Sequence, residues 1–158
     1  MYSEKKHFFM NPVNNERKVY IFPDVPHCLK NLRNHCLDST MVIDKGGGLR
    51  ITLGKDNFEH LIRLDNSDFK LCPKLTPTHI YVKGSDRQRV RTAAQLFSDT
   101  VSKAFIHKFG DDYREQADVI RVIDGWFDTM NSRQRIDKKN NKCGLGKSNH
   151  FILQNFAF

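Results

Sequence analysis

Residues 86–108, DRQRVRTAAQLFSDTVSKAFIHK, carry the strongest structural signal in this chain. Their apolar residues step by four, three, four and three, so they share one side of an α-helix. These residues are Val90, Ala94, Phe97, Val101 and Ala104. Ser85 or Asp86 can accept hydrogen bonds from the open amides at the start, and Gly110 can end the helix. The spacing predicts one continuous amphipathic helix.

Two other helices are predicted around this one. Residues 57–64 form a short apolar-rich helix, and residues 115–131 form a longer one. The longer helix carries on one side Val119, Ile123, Trp126 or Phe127, and Met130. Residues 71–85, LCPKLTPTHIYVKGS, contain two prolines and little periodicity, which predicts an ordered connector. The predicted fold class is therefore mainly α.

The N-terminal part of the chain has a different pattern. Residues 18–22, KVYIF, are typical of a strand that stops at Pro23. Residues 27–38, HCLKNLRNHCLD, have the spacing of a helix, and the glycine run within 44–48 predicts a flexible junction. We therefore expect a strand–helix fragment at 1–43, a helical domain at 44–140 and an exit segment at 141–158.

The composition limits the class of protein. The 158 residues carry a formal net charge of +8, which favours polyanionic partners, either nucleic acid or nucleotide phosphates. No apolar run approaches the roughly 18–20 residues of a membrane span, and the first residues lack the apolar segment of a secretion signal. The four cysteines form no CxxC pair, which is typical of free thiols in the cytosol or nucleus.

Residues 143–149, CGLGKSN, include the Gly-Lys-Ser ending of a phosphate-binding loop. Such a loop begins with another glycine, and that position holds Asn141. It also needs a strand before it and a helix after it, so that backbone amides point at the phosphates, whereas a polar stretch precedes this motif. The sequence does not support a true phosphate loop.

Metal and nuclease chemistry are not indicated either. His27-Cys28 and His35-Cys36 do not have the ligand spacing of a zinc site, because the eight-residue step turns the second pair by about 80° and moves it roughly 12 Å along a helix. Two-metal phosphoryl transfer needs carboxylates at several strand ends, and only Asp24 follows a convincing strand. We therefore assign no metal ligand and no catalytic residue.

Residues 125–133, GWFDTMNSR, combine an aromatic ring, a carboxylate and an amide at the end of the last predicted helix. Phe127 and Asn131 are four residues apart and Asp128 and Asn131 are three apart, so all three share one face. The ring can stack on a purine. The carboxylate can accept from the N1–H and amine of guanine, whereas adenine presents an acceptor at N1. Spacing alone favours the alternative, in which these polar groups cap the helix.

Lys74 and the basic run at 87–91, RQRVR, can supply phosphate contacts. The run places Arg87, Arg89 and Arg91 near the start of the long helix, where open amides and the helix dipole also favour anions. On pattern alone, a solvated basic face is the favoured alternative.

Several blocks of the chain, in order, resemble one protein family. Residues 21–34, IFPDVPHCLKNLRN, resemble the F-x-D-x-P-H-L-x-K-x-x-R-N segment of P-element-type DNA transposases, the THAP-type transposase family. Residues 70–105 and 123–133 resemble the Lys-Leu-Thr-Pro-x-His-Ile and Phe-Asp-x-x-Asn-Ser blocks that follow it. The similarity spans about residues 17–135, with Cys28 in place of the family's usual leucine.

The resemblance implies a fold and a set of site residues. In this family a helical GTP-binding insertion domain interrupts an RNase H-like catalytic domain. The chain is therefore expected to be that insertion, preceded by a short strand–helix fragment of the RNase H-like fold. The implied guanine contacts are Phe127, Asp128 and Asn131. The implied phosphate and ribose contacts are Lys74, Arg89 and the backbone at Val90, with Ser98 and Asp68 as further candidates.

A geometric conflict accompanies these assignments. If the long helix is continuous from residue 86, Ser98 lies about 180° around it from Arg89. Either the helix begins later or one of the two residues is not a ligand.

The resemblance also implies a cofactor and partners. GTP, with or without Mg²⁺, would position transposon DNA in the full protein without being hydrolysed. The remainder of the RNase H-like domain would be a second partner, in the nucleus and away from any membrane. The catalytic carboxylates would lie outside this chain, which would be a non-catalytic fragment or a domesticated remnant. The alternative is a basic helical module that binds nucleic acid or protein without a nucleotide, and the missing carboxylates argue against a complete nuclease.

Overall fold

A computed structural model describes residues 8–132 except 22 and 67. The phosphate-loop-like motif and the predicted exit segment lie outside the described residues. Within them, most of the structure is helical: α1 (Val25–Ser39), α2 (Lys55–Leu64), α3 (Val90–Leu96), α4 (Asp99–Phe109) and α5 (Arg114–Met130). The predicted mainly α fold class is confirmed. No helix in the described part is long and apolar enough to cross a membrane.

Two antiparallel hairpins and three short 3-10 turns complete the described structure. The strands are β1 (Phe8–Met10), β2 (Lys18–Tyr20), β3 (Met41–Asp44) and β4 (Arg50–Leu53). The 3-10 turns are Pro77–His79, Gly84–Gln88 and Gly110–Tyr113. The first two turns lie in or just beyond the predicted connector, which is therefore ordered, and the second of them leads directly into α3.

The prediction of one continuous helix at 86–108 is wrong, because the chain leaves the helical path at Phe97 and Ser98. Ser98 has an extended backbone (φ −99°, ψ 153°) and separates α3 from α4. Its hydroxyl donates to the Gln95 carbonyl (2.9 Å) and accepts from the Val101 amide (3.4 Å), which offers the backbone a local alternative to a continuous helix. The apolar spacing persists across the break because both helices bury side chains in one core.

The glycine run that was expected to be a junction forms the turn of the second hairpin. Its three glycines, residues 46–48, all have positive φ (82°, 62° and 85°), a region that side chains with a Cβ rarely adopt. The strands on either side pair with Ile43 opposite Ile51. Ile51 and Leu53 are buried, so the hairpin packs on the helical domain.

Aromatic residues from α2, from the break between α3 and α4, and from α4 form the centre of the core. Phe58 packs edge-on against Phe97 and Phe105, with ring centroids 6.3 and 5.6 Å apart. Ile120 and Ile123 of α5 belong to the same cluster. Burying an aromatic or branched side chain of this kind stabilises the fold by about 1.5–3 kcal/mol. The cluster therefore fixes α4 and α5 relative to each other.

Helix α1 packs into this same core through Leu29 and Cys36. It begins after Asp24, whose Oδ1 accepts from the His27 amide (3.3 Å), and Pro26 occupies its first turn. The side chain of Asp24 thus has a capping role in the structure. The boundary predicted between residues 43 and 44 stays a prediction, and the helices on its two sides share one core.

Candidate functional site

A cleft of about 430 Å³ opens between the loop at 72–75, α3, the start of α4 and α5. This volume lies within the range of roughly 300–1,000 Å³ that is typical of small-molecule sites. Its lining includes the polar residues Lys74, Arg91, Gln95, Ser98, Asp124 and Asp128, and the apolar residues Leu75, Ala94, Val101 and Phe127. Four predicted site residues therefore meet in one cleft: Lys74, Ser98, Phe127 and Asp128.

Helix α5 supplies the acidic wall of the cleft. Asp124, Phe127 and Asp128 are three and four residues apart, so one face presents all three. Ile120 and Ile123 anchor the helix in the core, while the three cleft residues are half-buried. A ring and two carboxylates on one wall can stack on a planar group and accept hydrogen bonds from it.

Cationic side chains reach the cleft from other elements. Lys74 stands on the loop at 72–75 and Arg91 near the start of α3, and both are exposed. The cleft is therefore polarised, with anionic groups on α5 and cationic groups on the loop and α3. Such a site suits a ligand that has hydrogen-bond donors at one end and negative charge at the other.

A buried carboxylate anchors the loop that carries Lys74. Asp65 accepts hydrogen bonds from the amides of Leu71 (2.9 Å) and Cys72 (2.8 Å), and Nζ of Lys108 lies 3.5 Å from it. Burial by itself raises the pKa of this carboxyl, but the two amides and the Lys108 charge outweigh it and hold the pKa below its usual value. Asp65 is therefore ionised at neutral pH and fixes the start of the loop.

Cys72 lies in the wall of the cleft as a buried thiol. Burial, followed by the charge of Asp65, raises the pKa of Cys72 to about 11. At neutral pH the thiol is protonated and is not a nucleophile. Across the described residues, no group of three or more His, Cys, Asp or Glu side chains is placed to hold a metal ion.

A buried histidine ties the connector to α3. Nδ1 of His79 lies 3.2 Å from the amide nitrogen of Thr76, which can only donate, so Nδ1 accepts and Nε2 carries the proton. Nε2 then donates to Oε1 of Gln95 at 2.9 Å. Because Gln95 lines the cleft, this link orients one of its polar groups.

Three predicted site residues, Arg89, Val90 and Asn131, are not among the described residues that line this cleft. Arg89 precedes α3, and its Nε pairs with Oδ1 of Asp86 at 2.9 Å on the surface. Val90 is the first residue of α3. Asn131 follows α5, and its backbone N–H donates to the Phe127 carbonyl (2.9 Å). The roles of these three residues in binding stay predictions.

The break before α4 removes the premise of the geometric conflict between Ser98 and Arg89, which assumed one continuous helix. The helix begins at Val90 and ends before Ser98, so the two residues do not lie on one continuous helix. Ser98 reaches the cleft and Arg89 points to the surface. Asp68 is exposed and also lies outside the described lining of the cleft.

Sequence reasoning named Arg91 only as a member of a basic run and missed Gln95 and Asp124. Their spacing contains a signal, because Arg91, Gln95 and Ser98 step by four and three, and Asp124 precedes Asp128 by four. Many surface residues share such spacing. Only the position of the cleft identifies which of these faces can contact a ligand.

Fold and cleft together define a small helical domain with a cleft of the size that small molecules occupy. Residues 26–143 match the model of a family described as TNP-like, GTP-binding insertion domain. The match covers most of the chain, and the chain belongs to this family.

Individual relatives agree with the family. The chain is 34% identical over 137 residues to the Transposable element P transposase of Drosophila melanogaster, which covers 83% of this chain and 18% of that protein. Its fold matches the Drosophila P element transposase strand transfer complex with a TM-score of 0.84 and 28% identity, covering 97% of this chain and 36% of that one. The resemblance to P-element-type transposases is confirmed, and the chain spans only part of each relative.

Proposed function

We propose that this chain binds GTP in the cleft, with the guanine against α5 and the phosphates toward the loop and α3. The polarised cleft carries this proposal, because Phe127 and Asp128 share one site with Lys74 and Arg91. Membership of a GTP-binding insertion domain family supports the same ligand.

The α5 wall offers the contacts that distinguish guanine from adenine. The carboxylate of Asp128 can accept from both N1–H and the exocyclic amine of guanine, and the acceptor at N1 of adenine would face it unfavourably. The ring of Phe127 can stack on the base. Asn131 lies one helical turn beyond Phe127, where its amide would contact the exposed edge of the purine.

The phosphates would meet the cationic residues and the start of α4. Lys74 and Arg91 line the cleft directly. The surface pair of Arg89 with Asp86 is worth only about 0–1 kcal/mol, so Arg89 can turn toward a phosphate at little cost. Ser98 caps α4, an eleven-residue helix whose first amides add positive potential at the cleft. Mg²⁺ would be carried on the triphosphate, since this ion commonly keeps phosphate and water ligands.

We infer that GTP positions transposon DNA within a full transposase and is not hydrolysed. The lack of hydrolysis is supported by Asn141, which occupies the position of the first glycine of a phosphate loop. β1, β2 and α1 would form the entry from an RNase H-like fold, with which the domain would remain in contact. The catalytic carboxylates would belong to other parts of that nuclear protein, so this chain would be non-catalytic.

Calorimetric titration with GTP and ATP tests the proposal. We expect saturable GTP binding and at least about tenfold weaker ATP binding, because one misdirected hydrogen-bond pair costs more than 1.4 kcal/mol. The alternative, a basic helical module without a nucleotide, predicts DNA or protein binding and no preference between the two nucleotides. That result would contradict GTP binding.

Substituting Lys74 should affect the phosphate end alone. We expect Lys74→Gln to lower GTP affinity about 3- to 10-fold at low salt and less at high salt, because salt screens an exposed charge pair. Guanosine affinity should be unchanged. Lys103→Gln on α4 is the matched control, since Lys103 pairs with Asp99 on the surface. Equal losses for GTP and guanosine would remove Lys74 from the phosphate site.

A further inference from the structure

We propose that Arg33 of α1 is a positioning residue that sets the cationic side of the cleft by holding residues 87–92. The inference rests on the proposed GTP site. The side chain of Arg33 is fully enclosed (0% exposed). Arginine is almost never fully buried unless its guanidinium is paired, so its partners indicate what it holds.

Among the described residues, the guanidinium of Arg33 donates its hydrogen bonds to neutral oxygens. Nε donates to Oδ1 of Asn34 (2.9 Å), Nη1 to the hydroxyl of Thr92 (3.0 Å) and Nη2 to the carbonyl of Arg87 (2.6 Å). The Thr92 hydroxyl in turn donates to the carbonyl of Arg89 (2.9 Å). One guanidinium therefore holds two carbonyls of the segment before α3, one directly and one through a hydroxyl.

Other side chains of α1 contact the same segment. Nζ of Lys30 donates to Oε1 of Gln88 (3.2 Å), and the guanidinium of Arg87 pairs with Asp38. Lys30 and Arg33 belong to the K-x-x-R-N block of the sequence, for which the GTP site alone gives no role. One side of α1 therefore contacts the turn that leads into α3.

This turn determines where the side chains that α3 contributes to the cleft lie. Arg91 and Gln95 follow it within α3 and line the cleft, so a shift at the start of α3 moves both. If this position only needed to be filled, an apolar side chain would do so without the cost of burying a charge. The planar fork of arginine is required instead because it can reach two acceptors at once, which the single ammonium of lysine cannot do in the same geometry.

Two variants test the inference against the wild-type chain. We expect Arg33→Lys to weaken GTP binding about 5- to 10-fold, to leave guanosine binding within about twofold, and to speed amide hydrogen exchange at residues 87–92. Thr92→Val, which is nearly isosteric, removes the hydroxyl that accepts from Nη1 of Arg33 and donates to the Arg89 carbonyl. It leaves the bond from Arg33 to the Arg87 carbonyl in place and should show a smaller change of the same kind. Arg121→Lys on the surface of α5 is the matched control and should change neither binding nor exchange at 87–92.

The possible failures are distinguishable. Equal losses for GTP and guanosine would mean that Arg33 only supports the fold, and would overturn the inference. So would unchanged GTP binding in both Arg33→Lys and Thr92→Val while the wild-type chain binds GTP. A wild-type chain that binds no GTP would overturn the proposed function and, with it, this inference.

Discussion

Asp128→Asn is expected to lower GTP affinity by about 10- to 150-fold, which corresponds to about 1.5–3 kcal/mol for hydrogen bonds to a charged group. It is also expected to make xanthosine triphosphate the preferred nucleotide. Xanthine keeps the N1–H donor of guanine but has a carbonyl acceptor where guanine has its amine. The asparagine amide offers one acceptor and one donor in the position of the two carboxylate oxygens, so it matches xanthine and mismatches guanine.

Calorimetric titration of GTP, xanthosine triphosphate and ATP against the wild-type and variant chains measures this change in nucleotide preference. Asp118→Asn is the matched control, because Asp118 lies on the same helix and pairs with Arg121 on the surface. It should leave all three affinities unchanged. An Asp128→Asn chain that still prefers GTP would show that this carboxylate does not face the base. Gain of xanthosine triphosphate binding cannot arise from simple unfolding.

Asp65→Asn is expected to lower the free energy of unfolding by about 2–3 kcal/mol at pH 7. The carboxylate of Asp65 accepts from the amides of Leu71 and Cys72, and asparagine has one oxygen with which to accept. Its amide group would face the second backbone N–H and leave it unpaired, which is costly in a buried site. Urea unfolding of both chains measures the difference.

The pH dependence of the stability difference between the wild-type and Asp65→Asn chains is a separate check on the role of Asp65. The pKa of Asp65 is lowered in the folded chain from an ordinary value of 3.8. Its contribution to stability is therefore complete above that ordinary value and is lost as pH falls through the lowered folded value. The difference in free energy of unfolding between the wild-type and Asp65→Asn chains should become smaller below about pH 3.8. Asp111→Asn, which alters an exposed pair with Arg114, should cost less than about 1 kcal/mol at any pH. A similar small cost for Asp65→Asn at pH 7 would contradict its anchoring role.

Local patterns predicted the helices well where one apolar stripe dominates. Helices were expected at 57–64 and 115–131 and are found at Lys55–Leu64 and Arg114–Met130. The buried face of the last helix was predicted less well. Ile123 is buried as expected, but Ala117 and Ile120 lie deeper than Val119 and Phe127, which are only half-buried. Periodicity shows that a helix has an apolar side, but the centre of that side depends on what packs against it.

For the candidate site, sequence reasoning found side chains but not their arrangement. Phe127, Asp128 and Lys74 have suitable chemistry, but spacing and charge alone favoured a cap and a solvated basic face, and the family resemblance was needed to choose them. The resemblance implied Arg89, whose role stays a prediction, but the presence of Arg91 in the cleft could not be predicted because it depends on where α3 begins. That position is set by the turn at Gly84–Gln88 and its contacts with α1.

The order and chemistry of residues alone determined that this chain is a mainly helical domain, that it belongs among P-element-type transposases, and that the end of its last helix carries groups suited to guanine. Only the tertiary structure decided that the long apolar stripe breaks at Ser98, that the glycine run turns a hairpin, and that Arg91 enters the cleft beside Lys74. The physical reason is the range of the interactions. Helix periodicity and motif chemistry act between neighbours in sequence, whereas the cleft depends on contacts such as that of Arg33 with Arg87, which are distant along the chain.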